Sequence, residues 1–247
     1  MKSGYFLESV LMKAKYKRIL LKLSGEGLMG DRSFGVDDKV VTALAKQIAE
    51  ASKNGVEISV VAGGGNIFRG ASDAAKGLNR SVADQIGMMA TVMNGLFLQD
   101  ALKKAGVDAR VLSGLDMPKV CESYIFSKAI SYLERKKVVI FVGGTGSPYF
   151  TTDTASILRA AEMGVDAMFK ATQVDGVYDS DPKKNAKAKK YDKISYDEVL
   201  KKELKVMDMA AIALARDNKI PVVVFAQKGK NALADVLSGK GEFTVIK

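Results

Sequence analysis

Two lysines stand where apolar strands end. Lys22 lies within the run Arg18–Leu23 (RILLKL), directly before a glycine-bearing loop, and Lys170 closes the run Asp166–Lys170. A lysine in such a run either reaches solvent from a sheet edge or aims its ammonium into a site. Paired ammonium groups beside glycine loops suit the neutralisation of a transferring phosphoryl group and its leaving oxygen. A third candidate is Asp153, which ends Thr151-Thr152-Asp153 just ahead of a helical stretch. It either caps the first turn of that helix or orients the two lysines, and spacing alone leaves both readings open.

Three glycine-bearing segments follow strand-like runs: Lys22-Leu23-Ser24-Gly25-Glu26-Gly27, Ala62-Gly63-Gly64-Gly65-Asn66 and Val142-Gly143-Gly144-Thr145-Gly146-Ser147-Pro148. Loops at the carboxyl ends of parallel strands converge on the edge where α/β proteins bind ligands. Glycine lets backbone N–H groups approach the oxygens of a phosphate closely. One such loop is weak evidence, but three in a basic chain favour a nucleotide or phosphate site. No G-x-x-x-x-G-K-[ST] motif occurs, so the chain is not a P-loop NTPase by motif. Gly25–Gly30 satisfies G-x-G-x-x-G, yet no helix is expected to open on those glycines and no acidic residue ends the next strand. The match is accidental.

Composition narrows the chemistry further. The 247 residues include no His, no Trp and a single Cys, Cys121. A Ser-His-Asp triad, a His-ligated zinc site and a C-x-x-C redox pair are therefore excluded. One cysteine without a partner fits a reducing cytosol. With 38 Lys+Arg against 28 Asp+Glu, the net charge of +10 calls for an acidic partner, either a nucleic acid or a phosphorylated small molecule. No apolar run approaches the roughly 20 residues of a membrane helix.

The elements that must position these residues alternate along the chain. Strands are expected at Arg18–Leu23, Glu57–Ala62, Ala109–Leu112, Val138–Val142, Asp166–Lys170, Pro221–Phe225 and Phe243–Ile246. Helices are expected at Asp38–Lys53, Ser81–Lys104, Ser123–Arg135, Thr154–Met163, Met207–Asp217 and Asn231–Leu237. Short runs rich in Val and Ile read as strands buried on both faces, so the fold class is α/β with a mainly parallel sheet. A TIM barrel is the rival architecture, but the irregular stretch from Gly176 to Tyr196 fits eight regular units poorly. The helix from Ser81 carries Ile86, Met88, Met89, Val92, Met93, Leu96, Phe97, Leu98 and Leu102 over more than one stripe. It is either a central core helix or one packed partly against another subunit. Lys183–Lys190 (KKNAKAKK) reads as a solvated loop. Residues 1–11, ahead of a second possible start at Met12, are expected to be a dispensable extension.

The segments Lys22–Gly27, Gly63–Gly70 (GGGNIFRG), Asp84–Leu96 (DQIGMMATVMNGL), Thr145–Asp153 (TGSPYFTTD), Lys170–Pro182 (KATQVDGVYDSDP) and Leu204–Ala210 (LKVMDMA) resemble those of the bacterial uridylate kinases, the UMP kinases of the amino-acid kinase family. The likeness runs from about Tyr16 to the C-terminus. It implies a three-layer αβα sandwich around a mainly parallel central sheet. Residues 1–15 would be an N-terminal extension and 16–247 a single domain, with an acceptor-binding part over about 16–165 and an ATP-binding part over about 166–247.

The implied reaction is transfer of a phosphoryl group from ATP to UMP, giving UDP and ADP. Lys22, Lys170 and Asp153 would be catalytic. Lys22, Leu23, Ser24, Gly25, Gly65, Arg69, Thr172, Tyr178 and Asp181 would bind ATP. Gly64, Asp84, Thr145, Gly146, Ser147, Pro148, Tyr149, Phe150, Thr151 and Thr152 would bind UMP. Asp84 also reads as part of a capping box with Ser81, and Tyr178 reads without the family as a core aromatic. The resemblance further implies Mg²⁺ carried on the ATP phosphates with no dedicated protein cage, and a cytoplasmic homohexamer inhibited by UTP and activated by GTP. Gly30, Asp31, Arg32, Ser33, Phe34, Gly35 and Arg110 resemble elements tied to GTP, while Gln99 and Lys103 stand where some relatives carry other residues. The alternatives are a relative that makes an acyl phosphate and, from another class, a basic nucleic-acid-binding regulator. The UMP-type segments count against the first. The second has no use for strand-buried lysines and glycine-rich strand ends.

Overall fold

A computed structural model describes residues 15–68, 77–229 and 231–247. The expectations for residues 1–11 and Met12, and those for Arg69 and Gly70, lie outside the described residues.

The first half runs β1 (Arg18–Leu23), α1 (Asp38–Lys53), β2 (Glu57–Ala62), α2 (Arg80–Lys104), β3 (Ala109–Ser113), β4 (Glu122–Ser123), α3 (Phe126–Glu134), β5 (Val138–Val142) and α4 (Thr152–Met163). The second half runs β6 (Ala167–Thr172), β7 (Val177–Tyr178), β8 (Lys190–Tyr191), β9 (Lys193–Ile194), α5 (Tyr196–Lys201), α6 (Met209–Asp217), β10 (Val222–Ala226), α7 (Ala232–Leu237) and β11 (Phe243–Ile246). Among the described residues, nine strands form one sheet in the order β4-β3-β5-β2-β1-β6-β10-β11-β9. Every pairing in it is parallel except β10 with β11. The open sheet excludes the barrel, and β7 and β8 pair as a separate antiparallel ribbon.

Side-chain alternation along the strands divides the core into two layers. Ile19, Leu21 and Leu23 of β1 pack with Val41 and Ile48 of α1, Val92 and Leu98 of α2, and Leu233 of α7. Leu20 points the other way, among Leu133 of α3, Ile157 of α4, Val199 of α5 and Ile212 of α6. The result is the expected three-layer αβα sandwich. The same parity decides where the chemistry sits. Lys22 follows Leu20 at a spacing of two and Lys170 follows Met168 likewise, so both lysines face the layer that contains α4.

Four expectations are corrected. The helix from Ser123 starts instead at Phe126, because Glu122 and Ser123 extend the sheet beside Leu112 and Ser113. A short helix, α5, falls where none was expected; Ser195 caps it by accepting from the Glu198 N–H at 3.1 Å. The α6 helix begins at Met209, with Asp208 as its cap rather than as a helical residue. The stretch 176–196, read as irregular, contains the β7–β8 ribbon and β9. Along α2, Val82, Ile86, Met89, Met93 and Phe97 are exposed in the single chain, so its apolar surface is not all core. No helix among the described residues is long and apolar enough to cross a membrane.

Candidate active site

The parallel pairing of β1 with β6 sets Lys22 directly beside Lys170. Both are nearly buried, at 7% and 8% exposure. Two ammonium groups so placed repel each other, and one carboxylate offsets that repulsion. Asp153, in the first turn of α4, stands 2.9 Å from Lys22 Nζ through Oδ1 and 2.7 Å from Lys170 Nζ through Oδ2. Lys170 Nζ also donates to the Val206 carbonyl at 2.5 Å. Burial pushes the Asp153 carboxyl up, but the charges of Lys22 and Lys170 outweigh it and hold the group below the usual carboxylate range. Burial pulls the Lys170 ammonium down to about 8, with Asp153 opposing the shift and Lys22 adding to it.

Of the two readings of Asp153, its side chain is not the helix cap. Thr151 fills that position, its hydroxyl accepting from the N–H groups of Asp153 at 3.0 Å and Thr154 at 3.3 Å. Asp153 is thereby free to bridge the lysines. It also lies at a helix N-terminus, where the dipole favours a negative charge.

The three glycine loops meet at the carboxyl ends of β1, β2 and β5, and α2 holds them together. A side chain at Gly25 would begin 2.5 Å from Asn66 Oδ1 and 2.6 Å from Gly65 N, so the first two loops touch backbone to backbone. Gly64 approaches α2 so closely that a side chain there would begin 2.8 Å from the Gly87 carbonyl oxygen. Asn94 of α2, fully buried, donates to the Gly63 carbonyl at 2.6 Å and to Asn66 Oδ1 at 2.7 Å. Thr91 accepts from the Gly143 N–H at 2.8 Å. Asp84 accepts from the Tyr149 N–H at 2.8 Å and pairs with Arg80 at 2.9 Å. Asp84, Thr91 and Asn94 thus lie along one side of a single helix, the first two fastening the loop after β5 and the third the loop after β2. The capping-box reading of Asp84 is overturned, since Asn79 caps α2 by accepting from the Ser81 N–H at 2.9 Å.

On the expected ATP side, Leu23 ends β1 and Ser24 turns the chain, accepting from the Gly27 N–H at 3.1 Å. Thr172 ends β6 and donates to the Val174 carbonyl at 2.6 Å. Tyr178 is half-buried in the β7–β8 ribbon, not in the core, and donates to Asp175 at 2.7 Å. Asp181 is exposed and accepts from the Lys183 N–H at 3.0 Å.

On the expected UMP side, Thr145, Gly146, Ser147 and Pro148 form a turn in which the Ser147 N–H donates to Thr145 Oγ1 at 3.2 Å. Tyr149 follows at φ 72°, an unfavourable conformation for an aromatic residue, and is 65% exposed. Phe150 is exposed beside it. The Thr151 hydroxyl is already committed to Asp208, whereas Thr152 lies beside Gly63.

Residues Gly30–Gly35 reach the same region. The Gly35 N–H donates to the Asn66 carbonyl and Asn66 Nδ2 to the Gly35 carbonyl, both at 2.9 Å. Arg32 donates to the Val36 carbonyl, and Phe34 is exposed. Arg110 is not brought there: it lies on β3, separated from β1 by β5 and β2, over the Tyr132 ring and 3.3 Å from Asp108. Sequence reasoning assigned no role to Asn66, Asn94 or Asp208. Asparagine inside an otherwise apolar helix is the signal that could have found Asn94, because a buried amide needs partners.

A family model described as "Amino acid kinase family" matches residues 17–226. A uridylate kinase of Paramagnetospirillum magneticum is 54% identical over 233 residues, covering 94% of this chain and 97% of that protein. A uridylate kinase of Colwellia psychrerythraea is 55% identical over 234 residues, covering 95% of each. Among solved structures, the UMP kinase from Ureaplasma parvum superposes with a TM-score of 0.89 at 40% identity, covering 94% of this chain and 98% of that one. The UMP kinase from Bacillus anthracis superposes with a TM-score of 0.90 at 39% identity, covering 94% and 96% respectively.

Proposed function

The chain belongs to the amino acid kinase family, and from that premise we propose that Lys22, Lys170 and Asp153 form the centre at which it transfers the γ-phosphoryl group of ATP to UMP. The observation that carries the reading is the single carboxylate bridging two buried ammonium groups amid three converging glycine loops. The acceptor is a phosphate whose second pKa is about 6, so it arrives largely dianionic and needs no general base. A chain without histidine loses nothing by that. The barrier is repulsion between two charged phosphates, and fixed positive charge with backbone N–H donors lowers it.

Lys22, Leu23, Ser24, Gly25 and Gly65 take the ATP phosphates, with Thr172, Tyr178 and Asp181 on the adenosine side. Gly64, Asp84 and the turn Thr145–Thr152 take UMP. The acceptor half therefore spans about 16–165 and the ATP half about 166–247. Mg²⁺ would supply further charge neutralisation on the phosphates. Its ligands would be mainly the phosphate oxygens themselves, as suits a small, hard cation that keeps several waters.

An ADP-release assay with UMP, CMP and carboxylate acceptors tests the reaction. Turnover is expected with UMP alone, and equal rates with CMP or none with UMP overturn the acceptor assignment. The pH profile tests the lysine. Lys170 faces Asp153 from α4, Lys22 from β1 and Asp208 from the segment before α6. Its charged form exists below its pKa, so catalysis is present below about pH 8 and lost above it. With both nucleotides far below saturation, the apparent rate constant should fall above pH 8 and also below about pH 6, where UMP gains a proton. A flat profile from pH 6 to 10 removes Lys170 from the chemistry.

The same reading includes a cytoplasmic homohexamer, restrained by UTP and stimulated by GTP. Supporting the assembly is the exposed stripe Val82, Ile86, Met89, Met93 and Phe97, spaced by three and four along α2. Supporting an effector at Gly30–Gly35 is the pair of hydrogen bonds between Gly35 and Asn66 in the second glycine loop. Met93→Lys is expected to reduce the particle mass seen by light scattering to below six chains, and an unchanged mass argues that α2 does not form the contact.

A further inference from the structure

Asp208 has no substrate role in the proposed reaction, yet it touches the machinery from behind. Its carboxylate lies between the starts of two helices. It caps α6 by accepting from the Ala211 N–H at 2.9 Å. It also accepts from two hydroxyls at the start of α4, from Thr154 Oγ1 at 2.9 Å and from the capping Thr151 Oγ1. Thr151 in turn accepts from the backbone N–H of Asp153 at 3.0 Å. An unbroken path therefore runs from the Asp208 carboxylate through one hydroxyl to the backbone of the residue that bridges the lysines. Two residues earlier, the Val206 carbonyl takes the Lys170 ammonium at 2.5 Å. One short segment thus grips Asp153 through Thr151 and Lys170 through Val206.

We propose that Asp208 is a positioning residue for phosphoryl transfer: it locks the first turn of α4 to the segment 206–208 so that Asp153 and Lys170 keep their spacing. The inference rests on the reading of Lys22, Asp153 and Lys170 as the reacting centre. Two observations set Asp208 apart from an ordinary cap. Capping α6 needs one acceptor, and Ala211 uses it, whereas the bonds to Thr151 and Thr154 join elements from opposite halves of the chain. The carboxylate also adds negative charge near Lys170, favouring its protonated form along with Asp153 and against Lys22. The contact therefore acts on both the place and the charge of Lys170.

The test compares Asp208→Ser and Asp208→Asn with the unaltered protein. Serine is itself a good helix cap but carries no charge and does not span to α4. Both variants are expected to fold and melt near the original temperature while losing about a hundredfold in kcat, the scale for misplacing a reacting group by an ångström. The alkaline limb of the rate profile is expected to move to lower pH. Competitive acetylation of Lys170 without nucleotide, read by mass spectrometry, should show the same shift and does not depend on which acceptor the enzyme uses. If Asp208→Ser keeps full kcat and leaves the pH dependence of labelling unmoved, Asp208 is only a cap and the proposal falls. Should unaltered protein fail to phosphorylate UMP while the labelling shift persists, the acceptor reading fails and the positioning role stands.

Discussion

Asp153→Asn is expected to lower kcat by about a thousandfold while leaving the protein folded. The reason lies in electrostatics more than in lost contacts. Lys22 and Lys170 are adjacent on neighbouring strands, nearly buried, and share one compensating carboxylate at 2.9 and 2.7 Å. Removing that charge leaves two ammonium groups with their mutual repulsion uncovered. Burial already brings Lys170 down to about 8 with Asp153 opposing it, so in the variant the group gives up its proton at lower pH still. The transition state then loses one cation outright and finds the other displaced. Loss of a single oriented donor of this kind costs about 10² to 10³ in kcat, and here two are affected. Steady-state kinetics from pH 6 to 9 check this: the variant's residual rate should rise toward low pH, where Lys170 recovers its charge. A kcat within tenfold of the original at every pH would remove Asp153 from the centre.

Asn94→Ala is expected to destabilise the fold by roughly 3 kcal/mol and to weaken UMP binding. Asn94 and Asn66 are 0% and 2% exposed and exchange hydrogen bonds at 2.7 and 3.0 Å. Asn94 also holds the Gly63 carbonyl at 2.6 Å. Truncation strands that carbonyl and Asn66 Oδ1 inside the protein, and each buried polar group left without a partner costs about 1–3 kcal/mol. For a chain of this size the loss corresponds to a fall in melting temperature of about 10 °C. A double-mutant cycle with Asn66→Ala separates the pair from its surroundings. The combined loss should be clearly smaller than the sum, because the two residues serve each other. Additive losses would mean that the amide pair does not carry the effect.

Much of this architecture was legible before any coordinates, and the reasons are physical. Strands buried on both faces announce themselves as short Val- and Ile-rich runs, which is why β1, β2 and β5 lie within one residue of expectation. The lysines stood out for the same reason, since a charge inside such a run has to be explained. Asp153 was located but not resolved, because a capping role and a bridging role need the same residue at the same place. Only the geometry, with Thr151 as the cap, separates them. Ser195 and Glu198 carry a readable capping signal for α5, which the surrounding charged residues obscured. The bond from Asp84 to Tyr149 could not be read at all, because it joins residues 65 positions apart through a backbone N–H that any amino acid supplies. Asp208 was hidden by placing the start of α6 two residues early, which turned its cap into an ordinary helical position.

The parity that sends Lys22 and Lys170 toward α4 also protects the chain while it folds. A one-residue slip of β1 would invert its side chains and carry Lys22 into the opposite layer, where Phe169 packs edge-on against Tyr16 and Phe225. An ammonium group delivered into that aromatic layer would be on the far side of the sheet from Asp153, and an unpaired buried charge is among the most expensive mistakes a protein can make. Leu20 and Leu21 are the same residue and would tolerate the slip. The lysine would not, so the residue retained for its chemistry also enforces correct strand pairing.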